Sequence, residues 1–390
     1  MLKNIILWTL ALAIAVTAAV TAMGAIAKDK APALAVTLSP MNGFAAESLA
    51  AASVRGSVVK NGNEFPDRIE SITKRMARKA FVEEPITPEA VAVLALGERE
   101  NRQRELMSLA HLLSRRQPLI TGWLIVDSGE RNNIPAVLDH YDTLLRTSSS
   151  AAPVVIPTLA RALANGDFIE PFKNTLLLQP PWAAQFWGAV VSIPDSLENS
   201  AILREALHNR GESDSTYRDA ALIRALITNQ QFEQAFSLYR LLSVQKNTGL
   251  LVGNGTFEVQ PAYSPIDWEL ISTGEFGAAI NDGKLELSAI RNAGGIFVRQ
   301  LIKLPPRTLV MAVKPDAPIS DDAQIFVTLA CAQAIKEPPR IIRIPLKRKI
   351  ENLKIDNTNS GCSFYWLDIS GRSSENGDGF DIGINSISLR

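Results

Sequence analysis

The stretch LLVGNGTFEVQPAYSPIDW, Leu250–Trp268, separates two periodicities. Upstream, apolar residues return every three to four positions, the spacing of one helix face. Downstream, in LELSAI, IFVRQLIKL, RIIRIPL and FDIGINSISL, they alternate, as in a strand with one buried face. One element cannot satisfy both periods, so helices are expected first and strands second. The fold class is multidomain, α then β, in three parts. Residues 1–30 form a signal-anchor or signal peptide, residues 31–249 an α-solenoid, and residues 250–390 a β-sandwich or jelly roll.

The first part rests on Ile5–Ala27, an uncharged run between Lys3 and Lys28-Asp29-Lys30. It is long enough for the roughly 20 residues that a spanning helix needs. Cleaved signals carry a shorter apolar region of about 7–15 residues, which favours an uncleaved single-pass anchor in an inner membrane. Ala25-Ile26-Ala27 has the A-x-A form of a cleavage site, so release after Ala27 is the alternative. Either version places residues 28–390 in the periplasm. That space is oxidising, so Cys331 and Cys362, the two cysteines of the chain, are expected to form a disulfide. Two small buried thiols are the other reading.

Forty basic residues balance forty acidic ones. No global field draws the chain to nucleic acid. No nucleophile elbow, phosphate-binding loop, dinucleotide fingerprint or HExxH helix is present, and His111, His140 and His208 are read as isolated helix residues. The chain is expected not to be an enzyme.

In the helical part, turn residues recur about every 33 positions, at Asn101, Asn132-Asn133, Asn165, Asn199 and Asn229. Two units match in detail: Asn133-Ile134 with Tyr141 and Leu144, and Gln231-Phe232 with Tyr239 and Leu242. This pattern resembles a degenerate tetratricopeptide-repeat array. The run from His111 to Leu163 is similar to membrane-anchored envelope proteins of sphingomonad-type bacteria linked to exopolysaccharide production. That resemblance implies a scaffold whose solenoid binds a protein partner of a polysaccharide assembly system. Trp182, Phe186 and Trp187 are the candidates for a partner groove, against a default of inter-helix core.

Gly253-Asn254-Gly255-Thr256-Phe257-Glu258, followed by Pro265-Ile266-Asp267-Trp268, resembles the opening of carbohydrate-binding-module-like jelly rolls. The closing strand Gly383–Leu389 resembles their last strand. The resemblance implies adjacent first and last strands, and a structural calcium for which Glu258 and Asp381 are the candidate ligands; no other cofactor is expected. For glycan stacking the candidates are Trp268, Tyr365 and Trp366. Tyr365 and Trp366 alternate on one strand, so one faces inward. The leading expectation is a non-enzymatic envelope scaffold in cell-surface polysaccharide assembly, its β-domain packing on the solenoid or binding glycan. A dedicated glycan-binding protein is the alternative, and a polysaccharide-active enzyme stands behind both.

Overall fold

The computed structural model describes residues 2–27, 30–62, 64–66, 68–210, 215–243, 250–336, 339–358, 360–375 and 377–390. The boundary expected at 249/250 and the Lys28-Asp29 flank of the anchor touch residues outside that set.

The helices are α1 (Leu2–Ala27), α2 (Pro32–Leu38), α3 (Gly43–Lys60), α4 (Ser71–Glu83), α5 (Pro88–Ala95), α6 (Glu100–Leu113), α7 (Pro118–Glu130), α8 (Ile134–Thr147), α9 (Ala152–Ala162), α10 (Ile169–Leu176), α11 (Ala183–Val190), α12 (Leu197–His208), α13 (Thr216–Thr228) and α14 (Phe232–Leu242). The strands are β1 (Glu269–Leu270), β2 (Phe276–Asn281), β3 (Lys284–Ala289), β4 (Gly294–Lys303), β5 (Thr308–Pro315), β6 (Ala323–Cys331), β7 (Ile342–Pro345), β8 (Ile350–Asp356), β9 (Phe364–Ser373) and β10 (Phe380–Leu389).

The chain divides into two units. One holds Met1–Thr158 with Asn174–Ala183, the other Leu159–Lys173 with Ala184–Arg390. The change from helix to strand therefore falls inside the second unit. In the first unit, consecutive helices pack through small residues: Ala46, Ala50 and Ala51 of α3, Ala77 and Ala80 of α4, and Ala90, Ala92 and Ala95 of α5 share one core. Alanine lets backbones approach closely and carries the best helix propensity. Within α1, Ile6–Ala27 is long and apolar enough to cross a membrane.

Two helix–helix turns share one geometry, one in each unit. Between α7 and α8, Asn132 takes φ 55° and the Asn133 amide returns to the Ser128 carbonyl. Between α13 and α14, Gln230 takes φ 63° and the Gln231 amide returns to the Leu226 carbonyl. Left-handed residues close helix ends in this way. The matched units of the sequence are thus matched turns. Asn199 differs: it lies inside α12, and its side-chain amide donates to the carbonyls of Leu163 and Ala164.

The strands form two antiparallel five-stranded sheets, ordered β1-β4-β9-β6-β7 and β2-β3-β10-β5-β8. Their inner faces make one core: Leu285 and Leu287 of β3, Val298 and Ile302 of β4, Val327 and Leu329 of β6, Leu367 and Ile369 of β9, and Ile384 and Ile387 of β10. Two strands escape the pattern of the sequence. β2, FGAAIN, is built of small residues that show no alternation, and β8 is an edge strand rich in charge. The opening segment 253–258 is not a strand. The Asn254 side chain accepts from the amides of Glu258 and Val259, while the Gly255 carbonyl accepts from Ile387 of β10. The start of this region thus reaches its last strand through a turn.

Candidate functional site

The outer face of the first sheet is set by register. Arg299 of β4 lies opposite Asp368 of β9, and Leu301 opposite Trp366. Asp368 lies opposite Thr328 of β6, and Thr328 opposite Arg343 of β7. At one end this face is covered. Phe232 and Phe236 of α14 sit over Phe364, with ring centroids 5.0 and 5.4 Å away. Glu233 pairs with Lys303 at 2.6 Å and Arg224 of α13 pairs with Glu269 at 2.6 Å. Tyr239 donates to Asp267 at 2.7 Å, and the other oxygen of Asp267 accepts from the amides of Ala262 and Tyr263. Burial, and then the Asp267 carboxylate, raise the Tyr239 pKa far above its ordinary value. The rest of the face is tied up by its own groups. Arg299 forms a two-point ion pair with Asp368 and lies over Trp366 at 4.7 Å, and Arg343 lies over Phe326 at 3.9 Å.

The outer face of the second sheet holds a trough of about 1010 Å³ across β2, β3 and β10. Its floor follows from two rows of the register, Gly277–Ser288–Asp381 and Ala279–Glu286–Gly383. Gly277, Ala279 and Gly383 leave the backbone low at three of these six positions. A Cβ at Gly383 would come within 2.4 Å of the Asp316 carboxylate, which lies over it. Carboxylates dominate the rim and floor. Glu275, Glu286, Asp316, Asp378 and Asp381 line the trough, with Lys284 the one basic side chain among its lining residues, 3.9 Å from Asp316.

The residues singled out in the sequence fall into place unevenly. Trp268 is fully buried against Phe257, its indole N–H donating to the Asn254 carbonyl, so it is core and cannot stack on a ligand. Tyr365 is the inward member of its pair, hydrogen-bonded to Asn357 at 2.7 Å. Trp366 faces outward, beneath Arg299. Glu258 and Asp381 are not brought together. Gly255, close to Glu258, meets β10 at Ile387, and Asp381 lies six positions back along that strand, roughly 20 Å away at the rise of a strand. No group of three acidic, His or Cys side chains suited to a metal occurs among the described residues. Glu258 and Asp381 therefore do not share one site.

Trp182, Phe186 and Trp187 are all buried. Trp182 donates to Asp142 at 2.8 Å, Phe186 stacks on Phe172 at 4.9 Å, and Arg218 lies over Trp187 at 5.5 Å. They are interior packing, not a groove. Cys331 and Cys362 are joined in a disulfide, the chemistry of an extracytoplasmic compartment. His111 and His140 are not isolated: their rings meet edge to face at 5.7 Å, and burial lowers both pKa values. The trough itself carries no sequence signal, because it depends on Gly277, Ala279 and Gly383 standing in register on separate strands.

No protein-family model matches the chain and no curated protein matches it in sequence, so the expected kinship with sphingomonad-type envelope proteins finds no support there. Among solved structures, the chain is similar to accessory secretory protein 1, 2 and 3 of Streptococcus pneumoniae, at 11% identity over 32% of this chain and 97% of that chain, TM-score 0.24. It is also similar to TmCBM61 in complex with beta-1,4-galactotriose, at 14% identity over 36% of this chain and 97% of that one, TM-score 0.25. A third likeness, to a CBM4 structure, has 16% identity over 36% and 99% of the two chains, TM-score 0.25. Likenesses this weak decide nothing about ligand or role.

Proposed function

We propose that this protein is a non-enzymatic, membrane-tethered envelope adaptor whose β-sandwich holds a polysaccharide chain in the trough on β2, β3 and β10. The helical array supplies a surface for a protein partner of cell-surface polysaccharide assembly. The trough carries this reading. It crosses three strands, its floor is lowered at Gly277, Ala279 and Gly383, and its floor and rim carry groups that accept hydrogen bonds from sugar hydroxyls. Five carboxylates against one ammonium in its lining oppose a uronate polymer, so the ligand is a neutral glycan. The anchor helix and the disulfide support an extracytoplasmic location.

The test is binding of the full-length protein in detergent to neutral and acidic bacterial polysaccharides. Ala279→Trp fills the trough from an exposed position without touching the core. Saturable binding to a neutral polymer, lost in Ala279→Trp and kept in Trp366→Ala, is the expected result. Binding abolished by Trp366→Ala alone would move the site to the other sheet. One observation favours a second reading. Glu286 and Asp381 are diagonal neighbours on β3 and β10, so two carboxylates share one face of the trough, as a glycosidase requires. Release of reducing ends that disappears in Glu286→Gln would make the trough an active site.

A further inference from the structure

The anchor helix is not a free tether. Between Ile6 and Ala27, all residues of α1 are exposed except Val20, Gly24 and Ala27. Those three lie on one stripe, four and then three positions apart. Gly24 is buried, and a Cβ added there would come within 2.9 Å of Ser39 Cβ. The Ala31 amide bonds back to the Ala27 carbonyl at 2.7 Å. α2 and the turn after it therefore fold back along the last two turns of α1. Taken as a span, Ile6–Ala27 is about 33 Å long, against roughly 30 Å of hydrocarbon. Gly24 and Val20 then lie only about 4 and 10 Å inside its outer end. Whatever packs on them is at bilayer depth.

What packs there suits that depth. From Ala31 to Ala46 the chain carries no charge. The turn between α2 and α3 presents Met41 at 83% exposure, and α2 presents Leu34. Gly43, the first residue of α3, is held against Ala80 and Glu84 at the end of α4. That same end of α4 carries Val82, and Ile86 follows it, at 74% and 67% exposure. Leu34 and Met41 thus project from α2 and the turn after it, next to the outer end of α1, with Val82 and Ile86 exposed at the neighbouring end of α4. In water these would be exposed apolar side chains.

We infer that the α2–α3 turn is seated in the outer interface of the bilayer that α1 crosses, with Met41 dipping among the acyl chains and the end of α4 beside it. This rests on the tethered reading of α1. Seating of this kind buries apolar side chains about 5–10 Å below the headgroups. At this end of α4, Arg78 and Lys79 balance Glu83 and Glu84, so the seating does not depend on anionic lipid. The helical unit is then fixed at the membrane surface instead of swinging on a linker.

The experiment uses the full-length protein in zwitterionic vesicles, its disulfide intact so that an introduced cysteine is the one free thiol. Met41→Cys and Val59→Cys each carry an environment-sensitive dye. Both positions are exposed and apolar, Met41 just before α3 and Val59 near its far end, with about 24 Å of helix from Gly43 to Val59 between them. The expected result is blue-shifted emission at 41, quenched by nitroxide-labelled lipid, and water-like emission at 59. Water-like emission at 41, or equal quenching at both positions, overturns the inference while the anchor stands. Release of the chain by alkaline carbonate, or a mature N-terminus at residue 28, overturns the tether and the inference together.

Discussion

On the first sheet, the residues that point away from the sandwich are mostly spoken for. Phe364 lies under two phenylalanines of α14, Lys303 and Glu269 are paired to α14 and α13, and Arg299 is fixed between Asp368 and Trp366. On the second sheet the corresponding face around β3 carries Lys284, Glu286, Ser288 and Ile290, all exposed, around a floor of glycine and alanine. Both sheets give the same kind of inner face to the core, so the contrast does not come from folding the sandwich. It comes from what each outer face meets: a helix pair on one side and solvent on the other. An outward aromatic residue means packing on the first sheet, and the lack of one means access on the second.

The largest way to break this contrast is to strip the covered face. Phe364→Ala removes a buried ring together with its contacts to Phe232 and Phe236, and should destabilise the second unit by about 3–5 kcal/mol in urea unfolding of the full-length protein. A loss below about 1 kcal/mol would mean that α14 is not seated there in solution. Next in size is the disulfide, which closes a separation of 31 residues from β6 to the approach to β9. Its neighbourhood is also helix-bound: the side chain of Gln230, at the start of α14, donates to the Ala332 carbonyl and accepts from the Ala334 amide. Cys331→Ser with Cys362→Ser should cost roughly 2–4 kcal/mol by the loop-closure argument, with glycan binding retained in whatever fraction stays folded. Equal stability of oxidised and doubly substituted protein would sink this expectation.

The covered face was partly legible in sequence and the open one was not. Alternation in IFVRQLIKL and in FYWLDIS marks β4 and β9, and it requires that Tyr365 and Trp366 point opposite ways. It cannot tell which outward residues a distant helix will cover, because that depends on α14 meeting Phe364, more than a hundred positions away. Trp268 misled for the same reason. A tryptophan in a polar loop looks available, but Phe257 and the Asn254 carbonyl claim it. The trough depends on Gly277, Ala279 and Gly383 standing in register on adjacent strands, and small residues in a strand read in sequence as weak strand signal. His111 and His140 meet only through the packing of α6 and α8, which no spacing within either helix encodes.

Two smaller effects sharpen the comparison. Tyr239→Phe removes one donor from Asp267 and should cost about 1–3 kcal/mol at neutral pH. The sign with pH follows from the raised pKa. Between the unfolded value near 10 and the higher folded value, the unfolded chain holds fewer protons, so stability falls as pH rises. Wild type should therefore lose stability above about pH 10 more steeply than Tyr239→Phe, and parallel curves would remove the Tyr239–Asp267 latch from the account. The smallest effect is the most discriminating. Ile290→Ala and Glu286→Gln on the open face should each stay within about 0.5 kcal/mol of wild type, since neither side chain supports the core. If Glu286→Gln lowers glycan affinity while the unfolding curve stays put, the second sheet's face is kept for a ligand and not for stability. If instead it destabilises the sandwich as Phe364→Ala does, the open face is packed in solution, and the contrast between the two sheets is lost.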